Sequence, residues 1–98
     1  FAVGAYDEGK LIGFGGVLVS VLPHYNKLVA TIETIFLKEE YRKGRTGVKM
    51  VQELENLASQ AGAQGVYFTT GVGDRLSKLP PLIGYHPTNE VFFKALNP

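Results

Sequence analysis

Between Arg42 and Gly47 the chain reads Arg-Lys-Gly-Arg-Thr-Gly, and Lys49 follows closely. The residues beyond have helical periodicity, so this run stands at a helix start. A helix N-terminus carries partial positive charge, and each cation placed there costs about 0.3–1 kcal/mol. A bound anion reverses that sign. The first backbone N–H groups of a helix have no intrahelical acceptor and can point at phosphate oxygens. Gly44 and Gly47 lack a Cβ, so a ligand can come close to the backbone. The chemistry indicated is the binding of a phosphate or diphosphate. The spacing is not that of a Walker loop, nor of a dinucleotide fingerprint. The plain alternative is a solvated basic turn whose glycines permit the bend.

Other chemistry-bearing residues are sparse. Glu33 is the only charged residue in the apolar run Leu28–Leu37. His24 and Tyr25 follow Pro23 and read as a surface turn, and His86 before Pro87 reads the same way. Two histidines in separate loops, with no cysteine, do not make a metal set.

Elements that must position these residues follow from the hydrophobic pattern. Phe1 to Tyr6 reads as a strand, Asp7 to Lys10 as a turn with Gly9 suited to positive φ, and Leu11 to Val21 as a longer strand. Leu22 to Lys27 is a connection. Leu28 to Leu37 is a third strand, and meander order makes the three antiparallel. Strict alternation along it puts Leu28, Ala30, Ile32, Thr34 and Phe36 on one face. Val29, Thr31, Glu33, Ile35 and Leu37 fall on the other. Both faces are largely apolar, as in a strand covered on both sides. Gly47, Met50, Val51, Leu54, Leu57, Ala58 and Ala61 recur at helical spacing, and Gly62 supplies the stop. Gly65 to Thr70 is a strand, so the helix is the crossover of a strand–helix–strand unit. Asp74 is placed to cap a short helix that Pro80-Pro81 must end. Val91 to Leu96 reads as the last strand. The fold class is α+β: a mixed, mostly antiparallel sheet with a central crossover helix.

Composition sets outer bounds. Ninety-eight residues fit one domain, spanning 1–98. The chain opens inside a strand, without methionine, and reads as a segment that continues a longer N-terminal part. No apolar run reaches the ~20 residues of a membrane span. The net charge of +1 argues against a dedicated nucleic-acid binder, which usually carries a strong basic excess, although Lys38, Arg42, Lys43, Arg45 and Lys49 form a local cluster. The absence of cysteine suits a reducing compartment, and a cytoplasmic location is expected.

The loop and its frame resemble the GCN5-related N-acetyltransferase (GNAT) superfamily. That family carries Gln/Arg-x-x-Gly-x-Gly/Ala between a strand and a helix. Arg42 and Gly47 match its first and last positions, while Arg45 replaces the middle glycine and Gly44 sits one place early. Ile35-Phe36-Leu37 and Lys38-Glu39-Glu40-Tyr41-Arg42 look like the family's approach to the loop. Leu82-Ile83-Gly84-Tyr85 resembles its Leu-Gly-Phe segment, and Val91-Phe92-Phe93-Lys94 its final strand. The match runs from the family's second strand to its last. It has no counterpart of the first strand and first two helices.

The resemblance implies an acyl-CoA N-acyltransferase-like fold and acetyl transfer from acetyl-CoA to a primary amine. It implies a V-shaped opening between splayed strands. There Ile35, Phe36 and Leu37 would pair with the pantetheine amides. The N–H groups of Lys43, Gly44, Arg45, Thr46 and Gly47 would hold the diphosphate. Arg42, Lys43 or Arg45 would add charge-assisted bonds to it. Glu33 would be the general base, tuned by partial burial, and the Leu37 N–H would polarise the thioester carbonyl. The family's general-acid tyrosine falls on Pro80 and has no equivalent. Two other readings stand beside this one. One is a non-catalytic domain of the same fold that binds coenzyme A or a protein partner. The other is a basic patch for nucleic-acid phosphates. The amine acceptor is unassigned. An apolar sheet face without its N-terminal cover would favour a partner or a homodimer.

Overall fold

Glu8 and Gly9 both take positive φ, 50° and 81°, and close a two-residue hairpin between β1 (Ala2–Asp7) and β2 (Lys10–Leu22). This turn geometry matches the natural twist of paired strands, and a glycine at its second position removes most of its steric cost. The structure, a computed structural model, describes residues 1–22 and 26–97. His24 and Tyr25 lie outside the described residues. β3 (Lys27–Leu37) pairs antiparallel with β2. A 3-10 turn (Glu39–Tyr41) and the basic loop lead into α1 (Thr46–Gln60). α1 crosses over to β4 (Val66–Phe68), which pairs parallel with β3. The sheet order is β1-β2-β3-β4. A 3-10 turn (Arg75–Lys78) and α2 (Leu79–Leu82) follow.

One face of the sheet is covered by α1. Met50, Val51, Leu54 and Ala58 form its buried stripe, and Leu54 is fully enclosed. Val51, Leu54 and Ala58 cluster with Val17, Ala30 and Ile32 of the sheet. Met50 joins Ile12 and Leu37 in a second cluster nearer the loop. Gly15 lets the helix sit low on β2, since a Cβ there would come 3.1 Å from a Leu54 methyl. Burial of these side chains at ~25 cal/mol per Å² is what holds α1 to the sheet.

Several expectations are corrected. β3 does not alternate strictly. Gly16 pairs with Thr34 and Val17 with Ile32, so Glu33 bulges out of the ladder. The bulge moves Ile35 and Leu37 onto the α1 side, where Ala30 and Ile32 already lie, and leaves Thr34 and Phe36 on the opposite side. That opposite side is covered only in part: Val29 is buried, but Tyr6, Leu11, Phe14, Leu18 and Phe36 are exposed. β4 is shorter than Gly65–Thr70. Pro80 and Pro81 do not end a helix. They stand in the first turn of α2, where a missing N–H breaks no bond. Asp74 makes no side-chain cap; its carboxylate instead lies against Gly71, leaving no room for a Cβ there. Val91 to Leu96 forms no strand. Its large side chains project into solvent, Phe92 at 87% exposure, because no neighbouring strand pairs with it.

Candidate active site

β3 and β4 share a ladder only from Ala30–Val66 to Ile32–Phe68, and the Thr69 N–H closes it on the Ile32 carbonyl at 3.2 Å. Beyond Ile32, β3 runs on to Leu37 with a partner on the β2 side alone. Up to the bulge, the groups turned towards β4 belong to Leu28, Ala30 and Ile32. After the bulge the order is displaced by one residue. The Lys38 N–H returns to the Ile12 carbonyl on the β2 side. The backbone groups of Ile35 and Leu37 therefore face the gap that β4 has left. Glu33 stands at the fork of this gap. It is exposed, so the partial burial expected of it is not found.

The second wall is the basic loop. α1 begins at Thr46, and its first helical bond runs from the Lys49 N–H to the Arg45 carbonyl at 2.9 Å. No side chain caps this end, and no acidic residue stands in the first turn. The N–H groups of Thr46, Gly47 and Val48 precede the ladder and need an acceptor. Arg42 is fixed by its Nε, which donates to the Leu37 carbonyl at 2.6 Å. Its guanidinium lies over Phe36, 5.8 Å from the ring centroid, and Phe36 in turn packs on Phe14 with ring centroids 5.5 Å apart. The loop is also tied to the β1–β2 hairpin, because the Tyr41 hydroxyl donates to the Asp7 carboxylate at 2.7 Å. That bond raises the Tyr41 pKa above its ordinary value.

Between these walls lies a cavity of about 350 Å³, lined by Ile35, Phe36, Leu37, Arg42, Gly44 and Gly47, with Val48, Arg75, Leu76 and Leu79 completing it. Six of the expected cofactor-binding residues thus meet at one cleft. Lys43, Arg45 and Thr46 belong to the loop but do not line it, and neither does Glu33. Sequence reading missed Val48, Arg75, Leu76 and Leu79. The last three come from the segment after β4, whose approach to the loop no local pattern announces. That segment is anchored by Leu79, Ile83 and Tyr85, which pack on the main core. The Tyr85 hydroxyl donates to the Glu55 carboxylate at 2.6 Å, and its ring meets Phe68 edge-on at 5.6 Å. Burial, then Glu55, pushes the Tyr85 pKa well above the usual range.

The cleft fits a long ligand with an anionic end. It offers free strand edge for amides, apolar walls, unfilled helix N–H groups and arginine, and among the described residues no carboxylate lines it. Among the described residues no cluster of metal-ligating side chains occurs.

The chain matches the acetyltransferase (GNAT) family over residues 1–77 and belongs to that family. Comparison with curated proteins found no match. Solved structures match closely in shape. A ribosomal-protein-alanine N-acetyltransferase from Brucella melitensis superposes with a TM-score of 0.85 at 17% identity, over 97% of this chain and 70% of that one. A GNAT family acetyltransferase from Staphylococcus aureus gives 0.81 at 21% identity, over 98% and 64%. The aminoglycoside N-acetyltransferase AAC(6')-Iy, in complex with CoA, gives 0.85 at 18% identity, over 98% and 75%. At these identities the likeness establishes the fold. The chain spans less than two thirds of the Staphylococcus protein's length.

Proposed function

We propose that this chain carries the acetyl-CoA site of an N-acetyltransferase that acetylates a primary amine. The observation that carries the reading is the meeting of the free β3 edge with the uncapped start of α1 in one cleft. Membership of the acetyltransferase family supports it, as does the CoA complex of AAC(6')-Iy, a protein of the same fold. Bound acetyl-CoA supplies the acetyl group as a thioester. The backbone of Ile35 and Leu37 receives the pantetheine arm, and the Leu37 N–H polarises the acyl carbonyl. The N–H groups of Lys43 to Gly47 hold the diphosphate, with Arg42 beside them. Glu33 accepts the amine's proton, directly or through one water. A cytoplasmic location is part of the proposal; no helix among the described residues is long and apolar enough to cross a membrane.

Calorimetric titration of acetyl-CoA tests the site. Saturable binding is expected, weakened about tenfold or more by Arg42→Ala, since a charge-assisted bond is worth about 1.5–3 kcal/mol. A folded protein that ignores acetyl-CoA would sink the reading. The second reading is a non-catalytic cofactor-binding domain. It is favoured by a cleft lining that, among the described residues, holds no carboxylate, hydroxyl or imidazole.

A further inference from the structure

Arg42 and Arg75 are the two cationic side chains that line the cleft, and they reach it from different walls. Arg42 comes from the loop before α1. It is tethered to the Leu37 carbonyl and lies over Phe36, so its position is set by β3. Arg75 comes from the segment after β4, beside Leu76 and Leu79. Among the described residues the remaining lining is apolar or glycine, with nothing acidic in it to neutralise either charge. An exposed arginine beside an apolar wall is commonly a solvated surface charge. Here the backbone that carries it is held on both sides. Upstream, the Asp74 N–H bonds the Gly71 carbonyl at 3.1 Å. The Ser77 N–H and hydroxyl both return to the Asp74 carbonyl. Downstream, Leu79 packs on the main core, and Tyr85 is fixed to Glu55 of α1. The backbone carrying Arg75 is therefore indexed to the same helix whose N-terminus forms the opposite wall.

We infer that Arg75 is a second phosphate-binding cation of the cofactor cleft, facing the α1 N-terminus across the ligand. The inference rests on the acetyl-CoA reading above and deepens it. A guanidinium bonds phosphate bidentately through paired N–H groups, with no proton transfer and no other co-reactant. Coenzyme A offers two anionic targets, its diphosphate and its ribose 3′-phosphate. The α1 N-terminus accounts for one anion, and Arg75 supplies the separate charge that distinguishes the phosphorylated cofactor from its bare pantetheine arm.

The experiment is titration of coenzyme A, dephospho-coenzyme A and pantetheine into the wild-type chain, Arg75→Ala and Arg75→Lys, with melting temperatures as a folding control. Arg75→Ala is expected to lose about tenfold in coenzyme A affinity, with pantetheine binding and melting temperature unchanged. Arg75→Lys should recover part of the loss. An equal loss on dephospho-coenzyme A assigns Arg75 to the diphosphate; a loss confined to coenzyme A assigns it to the 3′-phosphate. Unchanged coenzyme A affinity in Arg75→Ala overturns the inference and leaves the acetyl-CoA reading standing. A loss of the same size on pantetheine also overturns it, because Arg75 would then only shape the wall. Absence of coenzyme A binding by the wild type removes the cofactor reading itself.

Discussion

Glu33 owes its place to a single extra residue. The bulge that skips it sits where β3 parts from β4, so its backbone lies at the fork outside the ladder, while its side chain is exposed and does not line the cleft. If it accepts the amine's proton, Glu33→Gln keeps acetyl-CoA affinity and loses about 10²-fold or more in kcat. Steady-state kinetics beside calorimetry separates the two quantities. Loss of binding together with turnover would point to a structural role instead. Tyr85 gives a prediction of a different kind. Its pKa lies above the unfolded value of 10.0, because burial and Glu55 favour the neutral hydroxyl. Its stabilising contribution is therefore complete below pH 10 and is lost as pH rises above that value. Tyr85→Phe should be about 1 kcal/mol less stable at pH 7, and the gap should narrow above pH 10. Denaturant unfolding across this range reads it. Tyr41 is shifted in the same direction by Asp7, but it titrates in both proteins and cancels in the difference.

At the scale of elements, the cleft depends on how closely β2 and β3 approach beside it. A Cβ on Gly13 would come 2.5 Å from the Phe36 carbonyl oxygen and 2.8 Å from a Leu37 methyl. The first contact is with backbone, so no rotamer change relieves it. Gly13→Ala is expected to cost about 1–3 kcal/mol. It should also weaken acetyl-CoA binding, because Phe36 and Leu37 line the cleft. Unfolding and titration of one variant check both effects; unchanged stability would show that the strands can separate freely. The periodicity of α1 made the helix legible to within a residue or so at each end, since its buried stripe recurs at every turn. β3 was legible as a strand but not as a bulged one. A bulge changes which side chains share a face without changing the composition of the run.

Across the whole molecule, the two sides of the sheet differ. One carries α1. The other presents Tyr6, Leu11, Phe14, Leu18 and Phe36, and Val91, Phe92, Phe93 and Leu96 stand exposed beyond α2. Apolar area of this extent is costly in water and marks a contact surface. A partner surface is expected to cover it, with a second copy of this chain as the simplest case. Light scattering should give about twice the monomer mass of 10.7 kDa. Monodisperse monomer at micromolar concentration would refute it.

The amino-acid sequence by itself determined the strand–helix–strand order and marked the basic glycine loop as the candidate anion site. Its local signals are dense there: a helical stripe, and glycines and cations ahead of it. It also carried enough ordered motif to mark the family. Only the tertiary structure decided that Arg42 and Arg75 face one cleft. Only it placed Ile35 and Leu37 on the open edge, and left the final apolar segment without a strand partner. Each of those facts depends on contacts between residues far apart in the chain or on a one-residue shift of register. Periodicity records which residues seek burial, and neither kind of fact leaves a mark on it.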